Sequence, residues 1–154
     1  MKNAARGGHT IPAFPNSFPY NELLLRGKLS AKTRSWRWGH MGLTLLYTST
    51  STARDVARAH GLNPKDAPRG ILVGVGNLLP VRKTTRAEAR QIEREFANGK
   101  KNIGVYAGYW RYEFKNLKRF KRPVPFKPPR GAIRMFNVPV SVVARALKEI
   151  DILL

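Results

Sequence analysis

The sequence predicts a single α+β domain built around one small sheet or barrel, and three observations point there. Runs rich in β-branched, aromatic and apolar residues recur at 42 to 50, 70 to 79 and 103 to 116. Helical patterns with their own start and stop signals lie between and around these runs. No repeat and no domain-scale linker interrupts the 154 residues, a length at which one hydrophobic core is expected.

The elements follow in order. Residues 1 to 18 hold Gly7, Gly8, Pro12 and Pro15 and read as an extended N-terminal arm, although Ile11, Phe14 and Phe18 are costly to leave in water. The domain proper then spans 19 to 154. Residues 19 to 26 open with Pro19 and stop at Gly27, the asymmetry of a short helix. Residues 42 to 50 read as a strand. The run from 51 to 61 reads as a helix begun by Ser51 or Thr52 and closed by Gly61, with Ala53, Val56, Ala57 and His60 on one stripe. Residues 70 to 79 read as a buried strand whose three glycines predict a bulge or a close backbone approach. Thr85 and Glu88 form a capping box for a helix through about Asn98, ended by Gly99. Residues 103 to 116 alternate in part, with Tyr112 and Phe114 on one side and Arg111, Glu113 and Lys115 on the other. A basic, proline-rich stretch from Leu117 to Arg130 leads to a last strand over 132 to 139. Ser141 then caps a C-terminal helix, 141 to 151, whose Val143, Ala146, Leu147 and Ile150 keep helical spacing.

Composition narrows the function. With 29 Lys or Arg against 9 Asp or Glu the formal charge is +20, yet the 42% hydrophobic and 10% aromatic fractions are those of a folded domain. The absence of cysteine removes disulfides, zinc ribbons, iron-sulfur sites and thiol catalysis. No apolar run approaches the roughly 18 residues of a transmembrane helix, and residues 1 to 20 lack the apolar core of a signal peptide. The expectation is a protein of a reducing compartment, the cytoplasm or nucleoid, with no membrane partner. His9, His40 and His60 are widely separated with no carboxylate cluster, so neither a metal nor a cofactor is expected. Gly74, Gly76 and Asn77 resemble part of a dinucleotide loop but lack its third glycine.

The charge is uneven. Two nearly acid-free stretches, 26 to 38 and 111 to 134, hold 14 of the 29 cations. The first carries Arg26, Lys28, Lys32, Arg34 and Arg37 with Trp36 and Trp38 between them. Cations for phosphates and flat rings for bases are what single-stranded nucleic acid requires. Trp36 is read as core and Trp38 as the stacking candidate. The second stretch carries Arg111, Lys115, Lys118, Arg119, Lys121, Arg122, Lys127, Arg130 and Arg134, stiffened by Pro123, Pro125, Pro128 and Pro129. A face kept for solubility normally mixes signs, so the missing acids point to nucleic-acid contact.

Three blocks in order resemble the ASCH family of the PUA-like superfamily of small β-barrels. GKLSAKTRSW, followed by GLTLLYTS, resembles the family's G-x-K-x-x-E-x-R-S-W segment and the strand after it. PRGILVGVGNLLPVR resembles P-x-G-x-I-x-G-x-x-x-L-x-D. YEFKNLKRFKRPVPFKPPRGAIRMFNVP resembles W-x-L-x-N followed by P-x-P-x-K-G-x-x-G-x-W-x-V-P. The blocks span about residues 20 to 139.

The resemblance implies a PUA-like barrel of about five or six strands with flanking helices. It also implies a cleft beside the barrel, walled partly by the third block, and binding of RNA. Some relatives hydrolyse acetylated cytidine with a Lys, Thr and Glu set, and ribonuclease activity has been attributed to others. Here the usual Lys position holds Leu29, the usual Glu position holds Lys32, and Tyr47 and Thr50 stand for the His and Lys of the following strand. Acid-base chemistry needs a titratable pair within reach, and this cleft has exchanged its carboxylate for a cation. The leading expectation is therefore a non-catalytic module of a ribonucleoprotein complex that binds RNA, with DNA as the other possible nucleic acid. The alternatives are a ribonuclease or modified-nucleoside amidohydrolase using Lys28 or Lys32, Arg34, Tyr47 and the hydroxyl of Thr33 or Ser35, and a protein-docking subunit whose apolar N-terminal arm and terminal ILL meet a partner chain.

Overall fold

The computed structural model of the chain describes residues 9–97, 107–131 and 134–154. The α+β class expected from the sequence is what it has. In chain order the elements are β1 (Thr10–Phe18), α1 (Tyr20–Leu25), β2 (Lys32–Arg34), β3 (Gly42–Thr52), α2 (Arg54–Ala59), a 3-10 turn (Pro64–Asp66), β4 (Ile71–Leu78), β5 (Arg82–Lys83), α3 (Arg86–Ala97), β6 (Trp110–Tyr112), β7 (Phe114–Pro125), β8 (Phe136–Pro139) and α4 (Val140–Glu149). Among the described residues these eight strands form two sheets, of order β7-β4-β3-β1-β8 and β2-β6-β5. Only β1 and β3 run parallel. The sheets are not closed into one barrel. They join where β6 passes into β7 through Glu113, whose carbonyl accepts a hydrogen bond from the Leu79 amide at 2.9 Å.

Strand alternation builds the core on both faces of the large sheet. Ala13, Leu45 and Leu72 point to one face, where they meet Val143, Ala146 and Leu147 of α4. Their chain neighbours Phe14, Leu46 and Val73 point to the other, against Tyr112 and Phe114. A strand covered on both faces reads as a continuous apolar run, which is why residues 42 to 50 and 70 to 79 were legible. A third cluster gathers Leu23 and Leu24 of α1, Leu29, Val56 of α2, and Ala89 and Ile92 of α3.

Two features were anticipated closely. Glu88 accepts from the Thr85 amide at 3.0 Å and Thr85 Oγ1 accepts from the Glu88 amide at 3.1 Å, the reciprocal pair of a capping box. The glycines of β4 mark a close approach: a Cβ on Gly74 would stand 2.4 Å from the Lys118 carbonyl oxygen, and the β4–β7 register shifts on both sides of it.

Others are corrected. Thr10–Phe18 is no arm: β1 lies between β3 and β8, and Ile11, Phe14 and Phe18 are buried in the chain's own core. The prolines had argued against a strand. Pro15 turns its carbonyl to Arg34, and β8 pairs β1 only from Thr10 to Ala13, so its missing N–H falls where no ladder bond is needed. The stretch after Leu117 is no linker either, because β7 runs to Pro125. Its cations and prolines suit an edge strand, where they discourage pairing with another chain. β3 extends through Thr52 and takes the expected capping residues, so α2 starts at Arg54 after Ala53 with no side-chain cap. α4 starts at Val140, with no cap from Ser141. The expected strand residues 103 to 106, the end of the third helix at 98 and 99, and residues 132 and 133 lie outside the described residues.

Replacing Gly74 by Ala should cost about 1–3 kcal/mol, because the new methyl meets backbone that cannot rotate away. The urea midpoint should fall with an unchanged slope; an unchanged midpoint would mean that the two backbones do not approach so closely.

Candidate functional site

The site starts from one arginine. β2, three residues long, delivers Arg34 against β1, with the guanidinium 4.8 Å over the Phe14 ring. Nη2 donates to the Pro15 carbonyl at 2.9 Å and to Asn16 Oδ1 at 2.6 Å, and Nη1 donates to the Thr33 carbonyl at 3.1 Å. Asn16 passes the chain on, donating to Asn21 Oδ1 at 2.8 Å, and Asn21 donates to Thr48 Oγ1 at 3.3 Å. Every acceptor is neutral. Burial lowers the Arg34 pKa to about 10, which still leaves it charged at neutral pH.

Above this relay opens a cleft of about 500 Å³. Asn16 and Ser17 of β1 form one wall, Tyr47 and the hydroxyls after it on β3 a second, and Trp36, Pro128 and Phe136 the remainder. Ser51 Oγ lies 2.6 Å from Ser17 Oγ and 3.0 Å from Ser49 Oγ, tying the first two walls together. Tyr47 donates to the Phe126 carbonyl at 3.0 Å, which anchors the segment that brings in Pro128. Tyr112 donates to the Trp36 carbonyl at 2.7 Å, and Arg134 stands 5.0 Å over the Trp36 ring. Among the described residues no carboxylate and no imidazole lines this cleft. Chemically it offers one guanidinium, hydroxyls and an aromatic face, a set suited to an anion joined to a flat ring.

Among the residues singled out in the sequence, Arg34, Trp36, Tyr47, Thr50 and Pro128 line the cleft, and the other candidate cations lie elsewhere. Lys28 is exposed, and Arg26 pairs with Glu22 at 2.6 Å. Lys32 is only 8% exposed, its ammonium 3.6 Å over the Tyr20 ring. Burial, with the nearby Arg34 charge, holds its pKa well below the usual lysine value. Trp36 packs against the core as expected, its ring 5.9 Å from Tyr112, and also lines the cleft, whereas Trp38, expected to stack, packs 4.7 Å from His40 against the same core and is not in the lining. Arg37 instead reaches Trp110. Trp36, Asn16 and Phe136 are the site residues that residue-type reasoning missed. The Trp of the R-S-W segment was the available signal.

The second basic stretch is less unbalanced in space than in sequence. Arg119 binds Glu22 through two hydrogen bonds of 2.7 and 2.9 Å, Arg122 pairs with Glu149, and Lys118 donates to the Ile150 carbonyl at 3.3 Å. Arg111, expected on an open face, is 6% exposed, with Nε 3.3 Å from Glu113 and 3.6 Å from Glu88. Among the described residues Lys115, Lys121, Lys127 and Arg130 are exposed and close no ion pair. Comparison of the chain with known protein families and with curated proteins finds no match.

Two predictions follow from these ionised groups. The hydrogen bond from Arg82 is the main reason that the Glu88 pKa falls to about 2. A carboxyl depressed on folding stabilises above its unfolded pKa, and that contribution is lost as pH falls from about 4.5 through 2. Glu88→Gln should cost about 1 kcal/mol at pH 7 and flatten this part of the urea-midpoint profile; a profile parallel to wild type would refute the assignment. Lys32 works oppositely: with its folded pKa depressed, stability rises with pH toward 10.5. Lys32→Met should be neutral to about 2 kcal/mol more stable at pH 7 and lack that rise.

Proposed function

We propose that this protein is a PUA-like, ASCH-type module that binds RNA, acting as a non-catalytic component of a ribonucleoprotein complex. The observation that carries the proposal is the cleft above Arg34: a part-buried guanidinium bonded to neutral acceptors, beside an aromatic ring that a second arginine overlies, with no acid in the lining among the described residues. Such a site attracts an anion without competing for it internally. RNA supplies both a phosphate and a base for the Trp36 face. The order of the three sequence blocks supports the family reading, in which the mixed five-stranded sheet and the small second sheet stand for an opened PUA-like barrel.

The surrounding charge supports a polymer over a free nucleotide. Lys127 and Arg130 flank Pro128 at the cleft, and Lys115 and Lys121 line the exposed edge of β7. No observation favours the hydrolase reading: among the described residues the cleft presents no carboxylate, the Tyr47 hydroxyl is engaged by a carbonyl, and Lys32 is packed on Tyr20 outside the lining. The docking reading loses residues 10 to 18 of the arm on which it rested, since β1 is part of the core; residues 1 to 8 lie outside the described residues. Leu153 and Leu154 remain exposed. No helix among the described residues is long and apolar enough to cross a membrane.

Binding of a labelled single-stranded RNA, followed by fluorescence anisotropy across a salt series, tests the proposal. The logarithm of affinity should fall with the logarithm of salt by about 0.7 per phosphate neutralised, and Lys127→Gln with Arg130→Gln should reduce the slope by about 1.4 together. Trp36→Ala should weaken binding about 5- to 150-fold with little change in slope. A salt-independent affinity, or full binding by the Trp36 variant, would remove the cleft from consideration.

A further inference from the structure

A second aromatic surface lies beside the cleft, on the three-stranded sheet. Trp110 of β6 is half-exposed, and two cations stand over its ring. Lys83 Nζ is 4.6 Å from the ring centroid and Arg37 Cζ is 5.5 Å from it. Lys83 is the cross-strand partner of Trp110 on β5, and Arg37 comes from the turn after β2. Both are exposed, and among the described residues neither closes an ion pair. Trp110 rests partly on the core, and an exposed cation on such a half-exposed indole is held weakly. A base can therefore take the ring face while the cations turn to its phosphates.

The register gives this surface its meaning. On the other side of β6, Trp110 pairs with Arg34 of β2, so the two side chains leave the sheet on the same face with their Cα atoms about 5 Å apart. The arginine at the floor of the cleft and the half-exposed indole are thus lateral neighbours, and the row Arg34, Trp110, Lys83 alternates cation, ring, cation across three strands. That alternation matches a polymer that alternates phosphate and base, and nothing in the row carries a negative charge.

We propose that Trp110 is a second stacking subsite for single-stranded RNA, receiving the base next to the nucleotide held in the Arg34 cleft, with Lys83 and Arg37 meeting the adjoining phosphates. The inference rests on the RNA reading above and extends it from one nucleotide to a strand with a direction across the small sheet. Trp110 lies outside the sequence blocks that suggested the fold family, and it enters only through the pairing of β2, β6 and β5.

The test compares three probes by calorimetry at fixed low salt: uridine monophosphate, tetrauridylate, and a tetranucleotide backbone with a single uracil and three abasic residues. Wild-type protein should bind tetrauridylate at least about 5-fold more tightly than the abasic probe. Trp110→Ala should lower tetrauridylate affinity about 5- to 150-fold and leave the monophosphate and the abasic probe unchanged, while Trp110→Phe keeps most of the affinity. Lys83→Gln should reduce the salt slope for tetrauridylate by about 0.7. If Trp110→Ala binds tetrauridylate like wild type while Trp36→Ala does not, the subsite is refuted and the cleft reading stands. If wild-type protein binds none of the probes, the RNA reading fails and the subsite with it. Should Trp110→Ala not fold, the wild-type comparison still decides, because equal affinity for the intact and abasic probes overturns the proposal.

Discussion

The Arg34 guanidinium, held by neutral acceptors alone, is the interaction on which the rest of the site depends. It joins the two sheets: β2 supplies the cation, and the carbonyl of Pro15 and the amide of Asn16 on β1 receive it. Burying a charge is costly unless its hydrogen bonds are met, and here they are met without an anion. The charge is therefore solvated by the protein but not cancelled, and its field opens into the cleft. Asn16 and Asn21 extend the same constraint to α1 and to Thr48 of β3, so the walls are located by the relay that holds the floor.

Arg111 shows the contrasting solution. It occupies the neighbouring strand β6 and is more deeply buried than Arg34, and it faces Glu88 and Glu113, which balance its charge. Glu88 also binds Arg82 and closes the α3 capping box, so a single carboxylate starts a helix and ties it to the small sheet. Two arginines on paired strands thus divide into a structural one, buried with acids around it, and a part-buried one that faces the cleft without them. The difference is in their partners and cannot be seen in residue type.

Acids distant in sequence redistribute the positive charge. Glu22 meets Arg119 from 97 positions away, and Glu149 meets Arg122 from 27 positions away. The basic edge strand β7 therefore serves two ends at once. Part of its charge fastens α1 and α4 to the large sheet, and the remainder stays on an edge that must also be kept from pairing with other chains.

By itself the sequence determined what local chemistry can determine. The capping box at Thr85, the close approach at Gly74, the two apolar strands at the centre of the large sheet and the α+β class were all legible, because periodicity, β-branching, caps and glycine act over a few residues. The cleft was legible as far as Arg34 and Tyr47, which lie in recognisable segments. What only the tertiary structure decided concerns residues whose partners come from elsewhere in the chain. Proline-bearing residues 10 to 18 become an inner strand because β8 leaves one side of Pro15 unpaired. Arg111 turns inward because Glu88 and Glu113 await it, Lys32 is packed on Tyr20, and Trp36 serves both core and cleft while Trp38 serves only the core. Composition counted the positive charge, but its distribution into ion pairs, core and cleft depends on distances through space, which chain order does not encode.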